Sequence, residues 1–288
     1  MPTTARRRKG SPNDCDFQDD KLEQVRAFIR SHDSALIAFS GGVDSSVAAM
    51  LAKQELGDAA VAVTVNNGVL HHDEPENAAA TAKAIGIRHL LIGINPLTVP
   101  KIKHNDPERC YYCKKLTFST LCDLAHKLHL NTVMDGTNAS DLNVYRPGLK
   151  ALKELGVVSP LIDLTKDEVR SIARTLDLPN AGASSSACLL TSFPYGTIVT
   201  KERIERLRQA ERALNAIGFT RAKVRDHNNF ARIEIDEEDA IDIVRNSAAI
   251  VEAFVELGFA YVTLDLEWLR SGSMDVELRS AKLKSPRL

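Results

Sequence analysis

The sequence lacks the features that mark several common protein classes. Its 37 Lys and Arg are balanced by 38 Asp and Glu, so the positive charge typical of a nucleic-acid-binding protein is missing. No apolar run reaches the roughly 18 residues that a membrane-spanning helix needs. The basic stretch at 6–9 is not followed by the apolar core of a signal peptide. We therefore expect neither nucleic acid nor a membrane as a partner.

Cysteine is also scarce, with five in 288 residues. In a chain without a secretory leader, so few cysteines favour a reducing, cytoplasmic location over a disulfide framework. The apolar content of 44% predicts a globular chain that is large enough to bury a substantial core.

The Gly-Lys-Ser/Thr of a Walker P-loop is absent, but another glycine-rich turn is present. It reads SGGVDSS, and we expect these residues of it to bind a nucleotide: Ser40, Gly41, Gly42, Asp44, Ser45 and Ser46. An apolar run precedes the turn and a helical pattern follows it, which predicts strand, turn and helix. Glycines let the backbone approach a phosphate, and the new helix directs free N–H groups at it. Asp44 is placed to offer Mg²⁺ an oxygen ligand; the alternative is an ordinary serine-capped turn.

Strands and helices are predicted to alternate as far as residue 178. The expected strands are 35–39, 60–65, 89–94 and 132–135, and the expected helices are 20–31, 43–56, 75–86, 108–129 and 166–177. This alternation predicts an α/β fold with a doubly wound parallel sheet, in which ligands bind beyond the carboxyl ends of the strands. A second set of polar residues at such an end is expected to complete the nucleotide site: Asp135, Gly136, Thr137, Asn138 and Asp141.

The alternation stops at a turn-rich segment that carries Cys188. We predict a mobile tail at 1–18, a nucleotide-binding domain at 19–178, a linker at 179–196, a smaller α+β domain at 197–275 and a tail at 276–288. The smaller domain should contain a charged helix at 201–217, strands at 222–226, 230–235 and 261–266, and a helical region at 237–257.

Cys110 and Cys113 are expected to lie on one face of the first turn of a helix. The helix dipole and the flanking Arg109, Lys114 and Lys115 should favour their thiolates, the form that binds metal. With Cys188 they would make three thiolates, the number that holds an iron–sulfur cluster with one open iron. A redox pair, half of a zinc site and two buried cysteines remain alternatives for the pair. Cys122 falls on the opposite side of the helix, so we assign it to the core.

Taken together, the motifs resemble the LarE family, the ATP-dependent sulfur transferases that mature the nickel-pincer cofactor of lactate racemase. The resemblance runs from about residue 20 to 275. Beside SGGVDSS at 40–46, it includes RCYYCK at 109–114, DGTN at 135–138, YRPG at 145–148, SPL at 159–161, ACL at 187–189, FPYG at 193–196, ARIE at 231–234 and RSGSM at 270–274. The loop alone occurs in many PP-loop ATP pyrophosphatases, whereas the ordered set is specific.

The resemblance implies that ATP and Mg²⁺ adenylate a carboxylate of a pyridinium dicarboxylate mononucleotide, which then receives sulfur and becomes a thiocarboxylate. Family members with one cysteine, matching Cys188, sacrifice it and keep dehydroalanine. Members with three, matching Cys110, Cys113 and Cys188, hold a 4Fe-4S cluster that receives sulfide from another source. This chain has all three, so we expect the cluster type. The family also implies a homo-oligomer, with a hexamer as one form.

A substrate with a phosphate and two carboxylates needs fixed cations. The resemblance and the strand alternation predict these substrate-binding residues: Lys223, Arg225, Arg232, Asp242 and Arg270. Glu211 and Asp242 could orient the cations, although carboxylates on a helix surface are commonly just solvated. Each cation alone could equally be a solvated surface group. The chain departs from the family pattern by lacking an arginine directly after Ser192, a Lys-Pro within 181–186, and an arginine at position 223, which is lysine. These departures leave the exact substrate open.

Three other functions compete with this one. A tRNA thiolation enzyme would combine a related loop with three cysteines, but it should carry a basic RNA-binding surface. An amidating pyrophosphatase, such as the synthetase that makes NAD, has no need of the cysteines. A non-catalytic nucleotide-binding regulator would bind ATP without releasing pyrophosphate.

Overall fold

The computed structural model describes residues 12–70, 74–142, 147–183, 188–270 and 272–276, with side chains from residue 20 onward. The chain forms two compact units. The first contains residues 1–66, 73–93 and 114–185, and the second contains residues 67–72, 94–113 and 186–288. The sequence predicted consecutive domains, whereas the units are interleaved because two segments that follow strands of the first unit belong to the second. Most of both predicted tails, and the first two residues of YRPG, lie outside the described residues.

The first unit contains a parallel sheet with its apolar residues on both faces. Its strands are β1 (Ala35–Ala38), β2 (Ala60–Asn66), β3 (Arg88–Gly93) and β4 (Thr132–Met134), in the order β3-β2-β1-β4. Ala35 and Ile37 of β1 join one buried cluster, and Leu36 between them joins another on the opposite face. Successive residues of a strand point to opposite faces, so the continuous apolar run of β1 produces this two-sided core. The predicted α/β fold is confirmed.

The helices agree closely with the helical periodicity. They are α1 (Pro12–Arg30), α2 (Val43–Leu56), α3 (Glu74–Ile85), α4 (Pro100–Lys103), α5 (Arg109–Lys127), α6 (Ala139–Leu142), α7 (Gly148–Glu154), α8 (Lys166–Thr175), α9 (Lys201–Ile217), α10 (Ala240–Arg245) and α11 (Ser247–Glu256). A capping box starts α8: the Thr165 hydroxyl accepts from the Glu168 amide, and the Glu168 carboxylate accepts from the Thr165 amide at 2.7 Å. The helix α1 begins at Pro12, so residues 12–18 are helical rather than part of a tail.

The second unit contains the predicted smaller α+β arrangement. Strands β5 (Lys223–His227) and β6 (Phe230–Glu234) are antiparallel, and β7 (Tyr261–Leu264) lies parallel to β6. One face of this sheet packs into an apolar core with α9 and α11, in which Val224, Ile233, Leu207 and Phe254 are almost fully buried. Gly218, with φ of 114°, ends α9 in a left-handed conformation that glycine adopts without strain.

One further sequence prediction concerns packing. Cys122 is half-buried against the sheet core of the first unit, together with Phe118 and Leu121 of the same helix, as expected. Within the described part of the chain, no helix combines the length and apolar character needed to cross a bilayer.

Gly41 provides a test of backbone crowding in the first unit. It has φ of +74°, and a Cβ added there would lie 2.7 Å from the Ala78 Cα of α3. Gly86 has the same φ but open space around it. Gly86→Ala should cost about 1 kcal/mol of unfolding free energy through the positive φ. Gly41→Ala should cost roughly 1–3 kcal/mol more, because a backbone atom must move. Chemical denaturation of the two variants measures the difference, and equal losses would contradict the crowding.

Candidate functional site

The SGGVDSS loop and the DGTN segment follow two neighbouring strands of the first unit. β1 pairs in parallel with β4, so the carboxyl ends of both strands lie at one edge of the sheet. The chain proceeds from β1 to β2 and β3 on one side, while β4 lies on the other, which makes this edge the topological switch point. A Cβ added to Gly136 would lie 2.8 Å from the Ser45 amide nitrogen. The two predicted halves of the nucleotide site therefore touch.

Hydrogen bonds among its serines hold the loop in shape. The Ser40 and Ser45 hydroxyls lie 3.1 Å apart, the Gly42 amide donates to the Ser40 hydroxyl at 3.3 Å, and the Ser45 hydroxyl donates to the Gly42 carbonyl at 3.0 Å. Asn180 adds an anchor that sequence reasoning missed. Its amide nitrogen donates to the Gly41 carbonyl at 2.6 Å and to the Ser46 hydroxyl at 2.9 Å. In the sequence, Asn180 is marked only by its place in a turn-rich segment directly after Pro179.

Asp44, in the first turn of α2, has one paired and one unpaired carboxylate oxygen. Its Oδ2 accepts from the Lys166 ammonium at the start of α8. Its Oδ1 is buried and has no hydrogen-bond partner among the described residues. A buried anionic oxygen without a partner is costly, and a hard cation such as Mg²⁺ satisfies it. Asp44 thus fits the predicted metal role, and Lys166 is a cation at this site that was not predicted.

The DGTN segment divides its polar groups between structure and ligand. The buried Asp135 carboxylate accepts from the Thr137 hydroxyl at 2.5 Å and from the Ser159 hydroxyl at 2.6 Å, so it shapes the segment. Asp141 accepts from the Asn138 amide at 3.2 Å. The Asn138 side-chain nitrogen is buried without a partner in the described residues, which leaves it as the donor of this segment best placed for a ligand.

The second unit contains a cavity of about 500 Å³ that is rich in cations. Its lining includes three of the predicted substrate-binding residues, Lys223, Arg225 and Arg270. Two arginines that were not predicted to bind substrate, Arg109 and Arg221, also line it, as do Cys188 and Glu211. The predicted alternation of Lys223 and Arg225 on one face of β5 brings both to the cavity. A cavity with this lining suits a small anionic ligand.

Arg225 and Arg232 are held by one buried carboxylate. They lie directly opposite each other on β5 and β6, where like charges repel. Glu234 is fully buried and accepts from Arg225 at 2.7 Å and from Arg232 at 3.1 Å. The carboxylate therefore reduces the repulsion between the two guanidinium groups and fixes the orientation of Arg225, whose Nε is buried without a partner among the described residues. Asp265, whose Oδ2 lies 3.4 Å from Arg232 Nε, contributes a second negative charge. Arg232 shares the Glu234 carboxylate with Arg225 and is not in the cavity lining.

The remaining predicted substrate residues separate into two groups. Arg270 lines the cavity and pairs with Asp265 at 3.1 Å, and Lys223 pairs loosely with Glu211 at 3.8 Å. Asp242 lies elsewhere. It is exposed on α10 and pairs with Arg245 at 3.1 Å, so the prediction that it orients the substrate-binding cations is corrected. The helix α10 begins two residues before Asp242, at Ala240, and presents this carboxylate to solvent.

The three candidate cysteines all belong to the second unit. Cys110 and Cys113 lie in the first turn of α5 as predicted, and Cys113 and Cys188 pack against the same apolar core. The predicted role of Lys114 and Lys115 beside the thiols is not observed, since Lys114 lies over the Phe118 ring and Lys115 pairs with Glu154 at 3.0 Å.

Cys188 is half-buried at the cavity, and the surroundings of its thiol disfavour the thiolate. Its thiol donates to the Val69 carbonyl at 3.6 Å, and the Leu189 amide donates to the same oxygen at 3.0 Å. Burial raises the pKa of Cys188 to about 12, and the neighbouring Cys113 and Cys110 add to that rise. In the described part of the chain, no three His, Cys, Asp or Glu side chains are placed to share a single metal ion.

Comparison with known proteins gives this geometry a family. A family model described as queuosine biosynthesis protein QueC matches residues 34–105. The chain is 42% identical over 261 residues to an uncharacterized protein of Synechocystis sp., covering 89% of this chain and 97% of that protein. It is 36% identical over 266 residues to the pyridinium-3,5-bisthiocarboxylic acid mononucleotide synthase of Lactiplantibacillus plantarum, covering 91% of this chain and 96% of the synthase. This chain belongs to the LarE family.

The LarE assignment confirms the predicted PP-loop ATP pyrophosphatase fold and the prediction of an ATP-dependent sulfurtransferase. A more distant likeness is to a second enzyme of the same fold. The chain is 32% identical over 176 residues to a glutamine-hydrolyzing GMP synthase chain of Methanocaldococcus jannaschii, covering 57% of this chain and 56% of the synthase chain.

The raised pKa of Cys188 in this LarE-family chain predicts slow alkylation. Because the thiolate is the reactive form, iodoacetamide should modify Cys188 of the folded, metal-free protein roughly a hundredfold or more slowly at about pH 8 than in the urea-unfolded chain. The rate should still rise with pH above the ordinary thiol value of 9.0. Mass spectrometry of the Cys188 peptide follows the reaction, and a plateau near that value in the folded protein would contradict the raised pKa.

Proposed function

We propose that this LarE-family chain adenylates a carboxylate of a pyridinium dicarboxylate mononucleotide with ATP and converts it to a thiocarboxylate. The observation that carries the proposal is the cavity of the second unit, in which Cys188 and the cations Lys223, Arg225 and Arg270 line one space. A sulfur-bearing residue is thereby combined with groups that suit an anionic substrate. The name of the Lactiplantibacillus plantarum relative, a pyridinium-3,5-bisthiocarboxylic acid mononucleotide synthase similar over nearly the whole chain, supports the same reaction.

Activation of the carboxylate is assigned to the first unit. A carboxylate oxygen of the substrate attacks the α-phosphorus of ATP, and the bond to pyrophosphate breaks. Free N–H groups at the start of α2 hold phosphate oxygens, and Asp44 and Lys166 stand where a Mg²⁺ ion and a phosphate need opposite charges. The product is an acyl adenylate, in which AMP is a good leaving group.

Sulfur transfer is assigned to the cavity of the second unit. Sulfide attacks the acyl carbon, the carbon–oxygen bond to AMP breaks, and the electron pair leaves with AMP. Lys223 and Arg225 hold the substrate phosphate, with Arg225 oriented by Glu234. The net exchange replaces one carboxylate oxygen by sulfur, and ATP is consumed to AMP and pyrophosphate.

The sulfide carrier proposed for this chain is a 4Fe-4S cluster on Cys110, Cys113 and Cys188. Two observations support this donor set: the three cysteines belong to one unit, and Cys113 and Cys188 pack against the same apolar core. A cubane binds each cysteine at a different iron, so it does not require the spacing of ligands around a single ion. Its fourth iron would supply an open position at which sulfide is held. A separate sulfide source and a homo-oligomer are further parts of the proposal.

Asp44 tests the activation step. Asp44→Ala should lower substrate-dependent pyrophosphate release by roughly a hundredfold or more. The Mg²⁺ ion that offsets the charge of the phosphates would lose its carboxylate ligand. Asp58→Ala is the matched control, since Asp58 is fully exposed and pairs only with Lys53 in the described structure. A coupled pyrophosphate assay measures both variants beside circular dichroism. Undiminished release by Asp44→Ala would remove Asp44 from the reaction.

The cysteines test the source of sulfur. After anaerobic reconstitution, alanine at any one of the three should abolish iron and sulfide binding and thiocarboxylate formation while pyrophosphate release continues. Cys122→Ala is the control and should retain all three properties, because it packs in the other unit. Iron and sulfide analysis with mass spectrometry of the product gives the readout. Stoichiometric conversion of Cys188 to dehydroalanine in an iron-free protein would instead establish the sacrificial route.

A further inference from the structure

Arg109 differs from the other cations of the substrate cavity. Four of the five cationic side chains in the lining have a carboxylate partner: Lys223 with Glu211 at 3.8 Å, Arg225 with Glu234 at 2.7 Å, Arg270 with Asp265 at 3.1 Å and Arg221 with Asp236 at 3.0 Å. Arg109 has none within ion-pair distance among the described residues, although it is only 6% exposed. A buried charge without a counter-charge is costly, so this position favours an anionic ligand.

The contacts of Arg109 hold the guanidinium without neutralising it. Its Cζ lies 4.6 Å from the centre of the Tyr195 ring, and the Tyr195 hydroxyl donates to Asp275 Oδ1 at 2.8 Å. The phenol is therefore neutral and held from its far side by Asp275. Tyr195 also shares a side-chain hydrogen bond with Arg109. Stacking on an aromatic face fixes the plane of an arginine, and a guanidinium has five N–H donors, so the donors outside that bond are available to a planar acceptor.

The location of Arg109 relates it to the sulfur chemistry. It lines the same cavity as Cys188 and directly precedes Cys110 at the start of α5. Lys223 and Arg225, on β5, supply the cations assigned to the phosphate, which leaves Arg109 as a separate anion site in the cavity. A planar fork of N–H groups matches the two oxygens of a carboxylate.

We propose that Arg109 binds the carboxylate of the substrate that is not being adenylated, and thereby selects pyridinium dicarboxylates over carboxamides. This inference rests on the proposed function. The non-reacting carboxylate is the suitable one, because an ion pair with arginine withdraws electron density from the oxygens and would slow their attack on ATP. Arg109 is thus a specificity-determining residue that makes no contact with the reacting atoms.

Binding of two ligands to the metal-free protein tests the inference. The ligands are the pyridinium-3,5-dicarboxylate mononucleotide and nicotinamide mononucleotide, which has one neutral carboxamide and the same phosphate. By calorimetry without ATP, Arg109→Gln should weaken dicarboxylate binding roughly ten- to a hundredfold, as for a lost hydrogen bond between charged groups. Binding of the carboxamide should change by less than about threefold on the same reasoning. In pyrophosphate release, KM for the dicarboxylate should rise while kcat stays within a few-fold.

Two further variants keep the test decisive. Arg221→Gln removes an already paired, 74% exposed cation of the same cavity, and should weaken both ligands alike and slightly. Arg109→Lys keeps the charge but loses the fork, and should weaken the dicarboxylate several-fold and the carboxamide hardly at all. It decides the matter if Arg109→Gln does not fold.

The outcomes separate this inference from the function on which it rests. If the wild-type protein neither binds the dicarboxylate nor releases pyrophosphate with it, the proposed function fails, and the role of Arg109 fails with it. If the wild type does both and the Arg109 variants weaken both ligands equally, only the inference is overturned. An unchanged ligand preference with a lower iron content after reconstitution would assign Arg109 to the cysteines instead.

Discussion

Charge that is removed from water has to be balanced, and this constraint organises the polar interior of both units. In the second unit, Glu234 is fully buried and accepts from two arginines that face each other across β5 and β6. Without it, the two guanidinium groups would repel across the strand pair. In the first unit, Lys166 balances Asp44 in the same way. Asp44 Oδ1 still has no hydrogen-bond partner among the described residues, and the Arg109 guanidinium has no carboxylate within ion-pair distance there. A cation is proposed to bind at the first group and an anion at the second.

Backbone proximity is the second constraint, and it explains where glycine is required. β1 and β4 are neighbours, so the loops that follow them converge at one sheet edge until Gly136 meets the Ser45 amide. Gly41 likewise lies against α3 at Ala78. A helix N-terminus can present its N–H groups to a phosphate only if no side chain intervenes. The two glycines therefore serve the loop by their missing side chains as well as by their backbone freedom.

Much of this architecture could be predicted from the sequence because it depends on local patterns. Apolar periodicity located the strands of both sheets and the helices that carry the loop and the cysteine pair, and the alternation along β5 brought Lys223 and Arg225 to one face. What failed depends on distant contacts. No local pattern shows that Glu234 serves Arg225 and Arg232, that Asn180 anchors Gly41, or that Asp242 points to solvent beside Arg245. The interleaving of the units was missed for the same reason, since segment 94–113 has no signal that links it to residues 186–288.

The surroundings of Cys188 bear on the choice between the two sulfur sources. Sulfur reacts as a thiolate, and a thiol with a pKa of about 12 supplies very little thiolate at neutral pH. Sacrifice of Cys188 would need a group that removes its proton, yet its thiol donates to the Val69 carbonyl, which is not a base. The Leu190 amide and the charge of Arg109 favour the thiolate, but burial outweighs them. Coordination by iron deprotonates a thiol directly, because the charge of the metal replaces the missing base. The raised pKa that makes Cys188 a poor nucleophile is therefore compatible with the proposed role of Cys188 as a cluster ligand. Cys110 and Cys113 of the same unit would supply the other two thiols of that cluster.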